Sequence, residues 1–514
     1  MRHKKRPPAR AGLPKLTSLQ APAWGVGMGK CWEAQTEWME TGLDAHCVAC
    51  YKYAAWTLHP DSWLRPAVKR NREEGGPMST TSPVELLQNL IRFNTTNPPG
   101  NEVGCITYIN NLLTQAGFET TLVSRVAERP NLITRLKGQG NAPPLLLYGH
   151  ADVVTVENQR WQHPPFGGEL ADGCVWGRGA MDMKGGVAMM LAAFLEAKAE
   201  GLKPPGDVIL VIVSDEEKGG EFGAKYLVEN HVAQFAGVRY AIGEFGGFSF
   251  YVGKQKFYPI MVAEKGICRI EVTLHGPGGH PTETYHAGTM AKLGKLLQQL
   301  DREHLPVHIT PATRQMIQTM SSALPFPTNL VLRQLLNPRL TDWMLGLIGK
   351  QVEQFEPLLH NTVNATTITG ADVPNRIPDR IVVNLVFCLL PGYTPDDAIS
   401  ELRQFVGKDA EVKVVDTSYY EKLPMEPDMG LFGVLSNILR EADPEGIPTP
   451  LVLPASTDGR VFSRLGIQTY GFLPMNLPSD FLFWQLMHAA DERIPVEALT
   501  FGADAIYRLL QRYR

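Results

Sequence analysis

The stretch PLLLYGHAD, residues 144–152, decides the fold, because it joins an unbroken apolar run to a histidine and an aspartate. A run that is apolar throughout indicates a strand buried on both faces, as in parallel sheets. The runs Asn131–Arg135, Val208–Val213 and Tyr240–Gly243 also read as strands, and an apolar helix is predicted over Gly185–Glu200. This alternation of strands and helices predicts an α/β domain with a largely parallel sheet.

Side chains that can bind a metal stand directly after three of these strands. His150 and Asp152 follow the first, Asp215–Glu217 the second and Glu244 the third, while Asp182 lies in the turn before the apolar helix. Each has a plain structural explanation, since an aspartate before a helix can equally be its N-cap. The carboxyl ends of the strands nevertheless form the crevice where open α/β sheets bind ligands. The repetition therefore predicts a hydrolytic metal site at this edge.

The composition is that of an ordinary soluble globular protein of 514 residues, 44% hydrophobic and 20% charged. A net charge of -4 gives no electrostatic reason to expect nucleic-acid or membrane binding. The apolar stretch Val187–Leu195 is far shorter than the roughly 20 residues of a membrane span. Seven scattered cysteines indicate reduced thiols and a cytoplasmic location. The CxxC of Cys47 and Cys50 lacks the partners that would complete a zinc or redox site.

The first 77 residues differ in character from the rest. They open with a basic run, contain several tryptophans and show no clear helix or strand periodicity. A Ser/Thr-capped amphipathic helix is predicted from Pro83, shortly after Met78. Our hypothesis is that Met78 is the biological start and that 1–77 is an atypical extension. Mass spectrometry of the natural protein would test this, and an intact chain from Met1 would refute it.

A series of motifs runs from about Ser82 to the end of the chain and resembles the di-zinc aminoacylase family. That family includes acetylornithine deacetylase, succinyl-diaminopimelate desuccinylase, aminoacylase and the folate-cleaving glutamate carboxypeptidase. The motifs are GHADVV (149–154), W..PPF (161–166), GRGAMDMKGG (177–186), DEEKGG (215–220), GEFGG (243–247), STDGR (456–460) and HAADERIPVEAL (488–499). The resemblance implies a zinc-exopeptidase-like catalytic domain with a mostly parallel central sheet, plus an inserted smaller α/β lid and dimerisation domain.

The resemblance also implies two Zn²⁺ ions per chain, for which Co²⁺ or Mn²⁺ are possible substitutes. His150 and Glu244 would bind one ion, Glu217 and His488 the other, and Asp182 would bridge both.

Two further carboxylates have implied roles beside the ions. Asp152 would orient the imidazole of His150, and Glu216 would be the general base that takes a proton from water.

The inserted domain is expected over 264–390, between catalytic segments 78–263 and 391–514. An edge-type strand is predicted from Glu264, a helix from Gly288 to about Leu300 and a strand over Arg380–Leu390, whereas the helical stretch 306–360 has no predicted place.

Within the inserted domain, GPGGHPTETYHAG (276–288) resembles the family motif whose histidine helps to stabilise the oxyanion, often in the partner subunit's site. His280 takes that role, and a homodimer through the lid is possible. The alternative interpretation, without a functional role, is a histidine in a glycine-rich surface loop.

Two departures from the family concern the substrate pocket. The sequence has Asn375-Arg376-Ile-Pro where the family usually has Asn-Val-Ile-Pro, and Cys388 where it often has an arginine that holds the substrate carboxylate. A thiol cannot make the bidentate contact of a guanidinium. The predicted substrate-binding residues are therefore Arg460, Asn375 and Arg376, or else the substrate lacks that carboxylate.

The preferred function is hydrolysis of an amide or peptide bond in an N-acyl amino acid or short peptide. The alternatives are the same centre acting on another amide, such as a carbamoyl group, and a binding homologue without catalysis. Intact ligands and base speak against the second. A nucleotide-binding interpretation fails, because no GxGxxG joins a strand to a helix.

Overall fold

The computed structural model of the chain describes residues 82–348, 355–370, 374–407 and 410–514. Its strands are β1 Thr120–Ser124, β2 Pro130–Leu136, β3 Leu145–His150, β4 Glu169–Ala171, β5 Cys174–Trp176, β6 Val208–Val213, β7 Tyr240–Gly243, β8 Phe250–Val252, β9 Gln255–Glu264, β10 Gly266–His275, β11 Thr362–Thr369, β12 Arg380–Leu389, β13 Glu411–Tyr419, β14 Ile447–Leu453, β15 Gln468–Gly471 and β16 Arg493–Pro495.

The helices alternate with these strands. They are α1 Pro83–Ile91, α2 Val103–Gln115, α3 Lys184–Ala199, α4 Ala224–Asn230, α5 Thr289–Arg302, α6 Pro311–Ala323, α7 Thr328–Gln334, α8 Thr341–Ile348, α9 Glu356–Leu359, α10 Pro395–Val406, α11 Phe432–Ala442, α12 Gly459–Ser463, α13 Phe483–Leu486 and α14 Val496–Arg512.

The large sheet has the strand order β1-β2-β6-β3-β7-β15-β9-β14, with β8 paired to β9. Its centre is parallel, from β6 through β3 and β7 to β15. Strands β3, β6 and β7 are buried along their whole length, as their unbroken apolar runs predict. The α/β class with a mostly parallel central sheet is therefore confirmed.

Helix α3 lies beneath the sheet and is almost completely buried, packed between the sheet and helices α1 and α14. Ser82 caps α1 by accepting a hydrogen bond from the Val84 backbone N–H, as its position before Pro83 predicts. The predicted apolar helix and amphipathic helix are both present. The buried start of α3 fixes the turn that carries Asp182.

A second sheet, in the order β11-β12-β10-β13, has its own apolar core beneath helices α5 and α10. Two predictions about it are wrong. Strand β10 is not an edge strand, because β12 and β13 pair with its two sides. The boundary at 390 is too early, because β13 belongs to this sheet and lies further along the chain.

The helical stretch 306–360, which had no predicted place, falls in the chain range expected for the inserted domain but packs on the large sheet. Helix α6 lies against β14 and β9, and its apolar side chains join the core of the large sheet. The reason is its buried stripe, which includes Met316, Ile317 and Met320.

The predictions for 1–77, Met78 and the CxxC lie outside the described residues. Among the described helices, none is both long and apolar enough to cross a membrane.

Candidate metal centre

Strand ends bring the predicted metal-binding side chains to one place. His150 ends β3, Glu216 and Glu217 form a short 3₁₀ turn after β6, and Glu244 follows β7. His150 and Glu244 are buried, and the two turn glutamates are half-buried. Parallel strands whose carboxyl ends share one edge produce this convergence.

Asp182 lies between two histidines and contacts both. Its Oδ1 is 3.1 Å from Nε2 of His150, and its Oδ2 is 3.0 Å from Nε2 of His488. Each histidine has a second carboxylate nearby: Nε2 of His150 is 3.5 Å from Glu244 Oε2, and Nε2 of His488 is 3.6 Å from Glu217 Oε1. The cluster thus has two halves that share one aspartate.

The cluster concentrates negative charge in a buried place. Burial raises the pKa of Glu244 to about 8, with the charge of Asp182 acting in the same direction and His150 opposing it. Burial and then the charge of Glu244 raise the pKa of Glu216 well above its ordinary value. Burial alone would raise the pKa of Asp182, but its hydrogen bonds to His150 and His488 outweigh it and lower that pKa. A cation between these groups would relieve the repulsion.

The donor set and its spacing fit divalent metal ions. In a tetrahedral zinc site with bonds of about 2.0–2.1 Å, neighbouring ligand atoms lie about 3.3 Å apart. The four nitrogen–oxygen separations in the cluster are 3.0, 3.1, 3.5 and 3.6 Å. In addition, the buried Oε1 of Glu217 has no hydrogen-bond partner within the described part of the chain. Imidazole and carboxylate are ligands that zinc accepts.

Comparison with known proteins assigns the chain to a family. Its sequence matches peptidase family M20/M25/M40 over residues 146–512. The chain belongs to this family. It is 28% identical over 401 residues to human N-fatty-acyl-amino acid synthase/hydrolase PM20D1, covering 75% of this chain and 77% of that protein. It is 31% identical over 297 residues to succinyl-diaminopimelate desuccinylase 1 of Ruegeria sp. (strain TM1040), covering 54% of this chain and 75% of that protein.

The fold of this M20 family chain is similar to that of solved family members. The M20 family metallo-carboxypeptidase Sso-CP2 from Sulfolobus solfataricus superimposes with a TM-score of 0.60 at 17% identity, over 84% of this chain and 98% of that chain. The suspected family and the catalytic fold with an inserted domain are confirmed. The chain is a hydrolytic enzyme of the peptidase and amidohydrolase type.

Asp152 holds the turn after β6 in this M20 enzyme. Its carboxylate accepts hydrogen bonds from the backbone N–H groups of Glu216 and Glu217, each at 3.1 Å. Nδ1 of His150 lies closer to the Asp152 backbone oxygen, at 2.9 Å, than to its carboxylate, at 3.5 Å. The carboxylate therefore positions the two glutamates more directly than the imidazole.

A buried network continues behind Asp152. The side-chain amide of Asn97 donates to Asp152 at 2.8 Å and to Asp215 at 3.0 Å. Asp215 also pairs with Arg129, which in turn makes two hydrogen bonds to Glu102. Local sequence patterns do not indicate this network, because its members are far apart in the chain.

Glu492 supports the opposite side of the cluster, and the sequence argument missed it. Its carboxylate is fully buried and accepts hydrogen bonds from Arg178 at 2.6 Å and from the backbone N–H groups of Gly179, Met181 and Asp182 at 3.1, 2.8 and 3.2 Å.

Arg178 continues this support, because it also donates to the backbone oxygen of His488, at 3.2 Å. The signal was present, since Arg178 and Glu492 have opposite charges and stand inside two motifs that contain ligands.

A second pair of buried acids, Asp458 and Glu264, lies beside the cluster and was also missed. Burial raises the pKa of Asp458 to about 6 and that of Glu264 to about 7, with Arg460 opposing both shifts. Glu264 accepts a hydrogen bond from the Thr457 backbone N–H at 2.6 Å. Within the described residues, neither carboxylate oxygen of Asp458 has a hydrogen-bond partner.

Three residues of the metal loops adopt left-handed backbone conformations. The φ angles are 72° at Asp215, 60° at Phe245 and 59° at His488. Such conformations cost of order 1–3 kcal/mol for residues other than glycine and persist where the surroundings fix them. Each of them lies in or next to the cluster of predicted ligands.

The predicted lid residues lie on exposed loops. His280 is exposed, and its Nδ1 lies 2.7 Å from Thr282 Oγ1 on the same loop. Asn375 and Arg376 are exposed on a neighbouring loop, which a bridge between Gly279 and Ile377 joins to the first. The roles of these side chains stay predictions.

Neither Arg460 nor Cys388 presents an exposed positive charge that could bind a carboxylate. Arg460 is 2% exposed, and its guanidinium donates to the backbone oxygens of Thr457 and Gly219. Burial raises the pKa of the Cys388 thiol, with Lys265 opposing, so the thiol stays uncharged at neutral pH. Contact of Arg460 with a substrate carboxylate stays a prediction.

Proposed function

We propose that this chain binds two Zn²⁺ ions and hydrolyses the amide bond of an N-acyl amino acid or a short peptide. The observation that carries the proposal is the position of Asp182, with one oxygen at each histidine. His150 and Glu244 would hold one ion, and Glu217 and His488 the other. Co²⁺ or Mn²⁺ would be substitutes, since the same nitrogen and oxygen donors suit them.

The chain's own residues would prepare the reaction. When bound, zinc polarises an amide carbonyl and lowers the pKa of water to about 7. Glu216 has a carboxylate oxygen within 4.8 Å of the potential ligand atoms of both His150 and Glu244, which supports a position beside the ions and outside the two His–Glu pairs. It would accept the proton from water and deliver it to the leaving nitrogen. Asp152 would hold Glu216 in place through its backbone N–H.

The relatives support an N-acyl amino acid as the first substrate class to test. One is named for N-fatty-acyl-amino acids and the other for succinyl-diaminopimelate, and both substrates contain an acylated amino group. The two relatives differ in the acyl group, which is apolar in one and carries a carboxylate in the other.

Adjacent glutamates provide a matched pair of variants. In the zinc-loaded protein, Glu216→Gln should lower kcat by about 100- to 10,000-fold with both ions retained, because a general base contributes that much. Glu217→Gln should instead lose zinc, which elemental analysis would count. A panel of N-acyl amino acids and dipeptides would report turnover. Wild-type rates for Glu216→Gln would refute the proposed base, and less than one ion per loaded wild-type chain would refute the metal centre.

We also propose that the second sheet, β11-β12-β10-β13, mediates a homodimer in which His280 of one subunit completes the site of the other. Its exposure on the loop 276–288 supports this. Mixing and re-associating inactive Glu216→Gln and His280→Ala proteins would restore one complete site per heterodimer, giving activity that neither variant has. A monomeric wild-type enzyme at full activity would contradict the proposal.

A further inference from the structure

An apolar pocket lies beside the loops that carry two of the metal-binding side chains. Phe248 stands four residues after Glu244 and Trp484 four residues before His488, and both line this pocket. Its opposite wall comes from helix α6, with Met316 and Met320, and from Leu358. The large sheet supplies the floor.

Aromatic rings connect the pocket with the metal loop. Phe245, the residue next to Glu244, is stacked on Trp484, with the ring centroids 6.5 Å apart and the ring planes at 12°. Phe248 lies 4.1 Å from Phe483, centroid to centroid, and 5.7 Å from Trp484. Trp484 is half-buried, so the pocket borders solvent on the side of these loops.

The lining has no ionisable side chain, and Thr449 is its one hydroxyl-bearing residue. The Oγ1 of Thr449 is buried and has no hydrogen-bond partner in the described ranges. A carboxylate moved into such a place would lose its hydration without gaining a partner for its charge. An aliphatic group has no hydrogen bonds to water to lose. Its transfer from water to a surface of methionine, leucine and aromatic side chains is favourable.

We propose that this pocket binds a short, uncharged aliphatic group attached to one side of the scissile amide. The inference rests on the proposed amidohydrolase function and names the group that the site selects. The pocket volume is about 70 Å³, compared with the ~150 Å³ apolar cavity that holds benzene in another protein. Since benzene has six carbons, the group is about three carbons long, and Met316 and Met320 can shift to admit it, since methionine adapts its shape readily.

Two substrate series distinguish where the group is attached. The first varies the acyl chain from acetyl to butanoyl, hexanoyl and succinyl on one amino acid, and the second varies the aliphatic amino-acid side chain under a constant acetyl group. Burial of one methylene should raise kcat/KM about fourfold. In one of the series kcat/KM should rise about 16-fold over two added methylenes and then level off, and the succinyl substrate should stay below the butanoyl one.

Variants in helix α6 test whether the pocket causes this preference. Met316→Trp fills the pocket and should reduce the butanoyl-to-acetyl ratio, or its side-chain equivalent, to near one. Gln318→Trp adds the same ring to an exposed position of the same helix and should leave that ratio unchanged. Should Met316→Trp fail to fold by circular dichroism, Met320→Phe narrows the same space by a smaller step.

The outcomes separate the pocket from the catalytic proposal. Turnover that depends on Glu216 but shows a flat response in both series, or a chain-length preference that survives Met316→Trp, would overturn the pocket while the hydrolytic function stands. Calorimetric titration of the zinc-loaded protein with the same compounds measures the preference without turnover. Binding that strengthens with chain length but no hydrolysis of any compound would retain the pocket and refute the proposed function.

Discussion

Replacing Glu492 by glutamine removes one negative charge from the interior and little volume. The Arg178 guanidinium, 1% exposed, would then keep its positive charge with no carboxylate at 2.6 Å. The glutamine amide has one acceptor oxygen instead of two. In one orientation its NH₂ group would face the backbone N–H groups of Met181 and Asp182, and in the other it would face Arg178. The change therefore affects both an ion pair and the loop that carries Asp182.

Breaking a buried ion pair by removing one partner costs about 3–5 kcal/mol, because the remaining charge stays buried and uncompensated. We expect Glu492→Gln to lower the free energy of unfolding of the metal-free protein by this amount, measured by urea denaturation followed by circular dichroism. Loss of support for Asp182 and His488 should also weaken zinc binding by about 10- to 100-fold, which a competition titration with a chelator would measure.

A surface ion pair supplies the control. Glu441 pairs with Arg512, and both side chains are more than 40% exposed, so Glu441→Gln should change the free energy of unfolding by no more than about 1 kcal/mol. If Glu492→Gln also stayed within that range and bound zinc as the wild type does, the reasoning about Glu492 would be refuted.

Two further predictions concern other buried positions. Burial lowers the pKa of Lys265 to about 8, so between pH 8 and its ordinary value near 10.5 the unfolded chain binds a proton that the native chain has released. The free energy of unfolding of the wild type should therefore rise by up to about 3 kcal/mol over that range relative to that of Lys265→Met. If the urea midpoints of the two proteins changed with pH in parallel, this prediction would be wrong. A Cβ at Gly471 would lie 2.3 Å from the backbone oxygen of Glu244 and 2.4 Å from that of Phe245. Gly471→Ala should therefore displace the Glu244 loop, cost about 1–3 kcal/mol of stability and reduce the zinc content; a variant with full zinc occupancy and wild-type stability would show that the loop yields without effect.

The parts of the fold that the sequence predicted are those in which local pattern and burial agree. The unbroken apolar run before His150 could hardly be anything but a central strand, and the structure buries all of it. The same logic placed the carboxylates at one sheet edge. It could not place helix α6, because an amphipathic helix shows that it has a buried face but not which sheet covers that face.

The sequence predicted which side chains come together at the candidate site, but not the residues that support them. The motifs indicated His150, Asp182 and Glu244, whose contacts are with near neighbours in the cluster. They did not indicate that the Glu492 carboxylate accepts hydrogen bonds from the backbone of a loop more than 300 residues earlier in the chain. Such partners are fixed by tertiary packing, which local spacing does not record.

The position of β15 also determines when the enzyme can be completed during synthesis. This four-residue strand lies between β7 and β9, and it is separated from β7 by about 225 residues of chain. At about 5–20 residues per second, a ribosome needs roughly 10–45 s to make that interval. During this time β7 and β9 have unpaired edges that can join other nascent chains. The half of the protein that carries most of the predicted metal ligands is therefore made early but closed late, and its yield in the cell depends on what protects those two edges in the meantime.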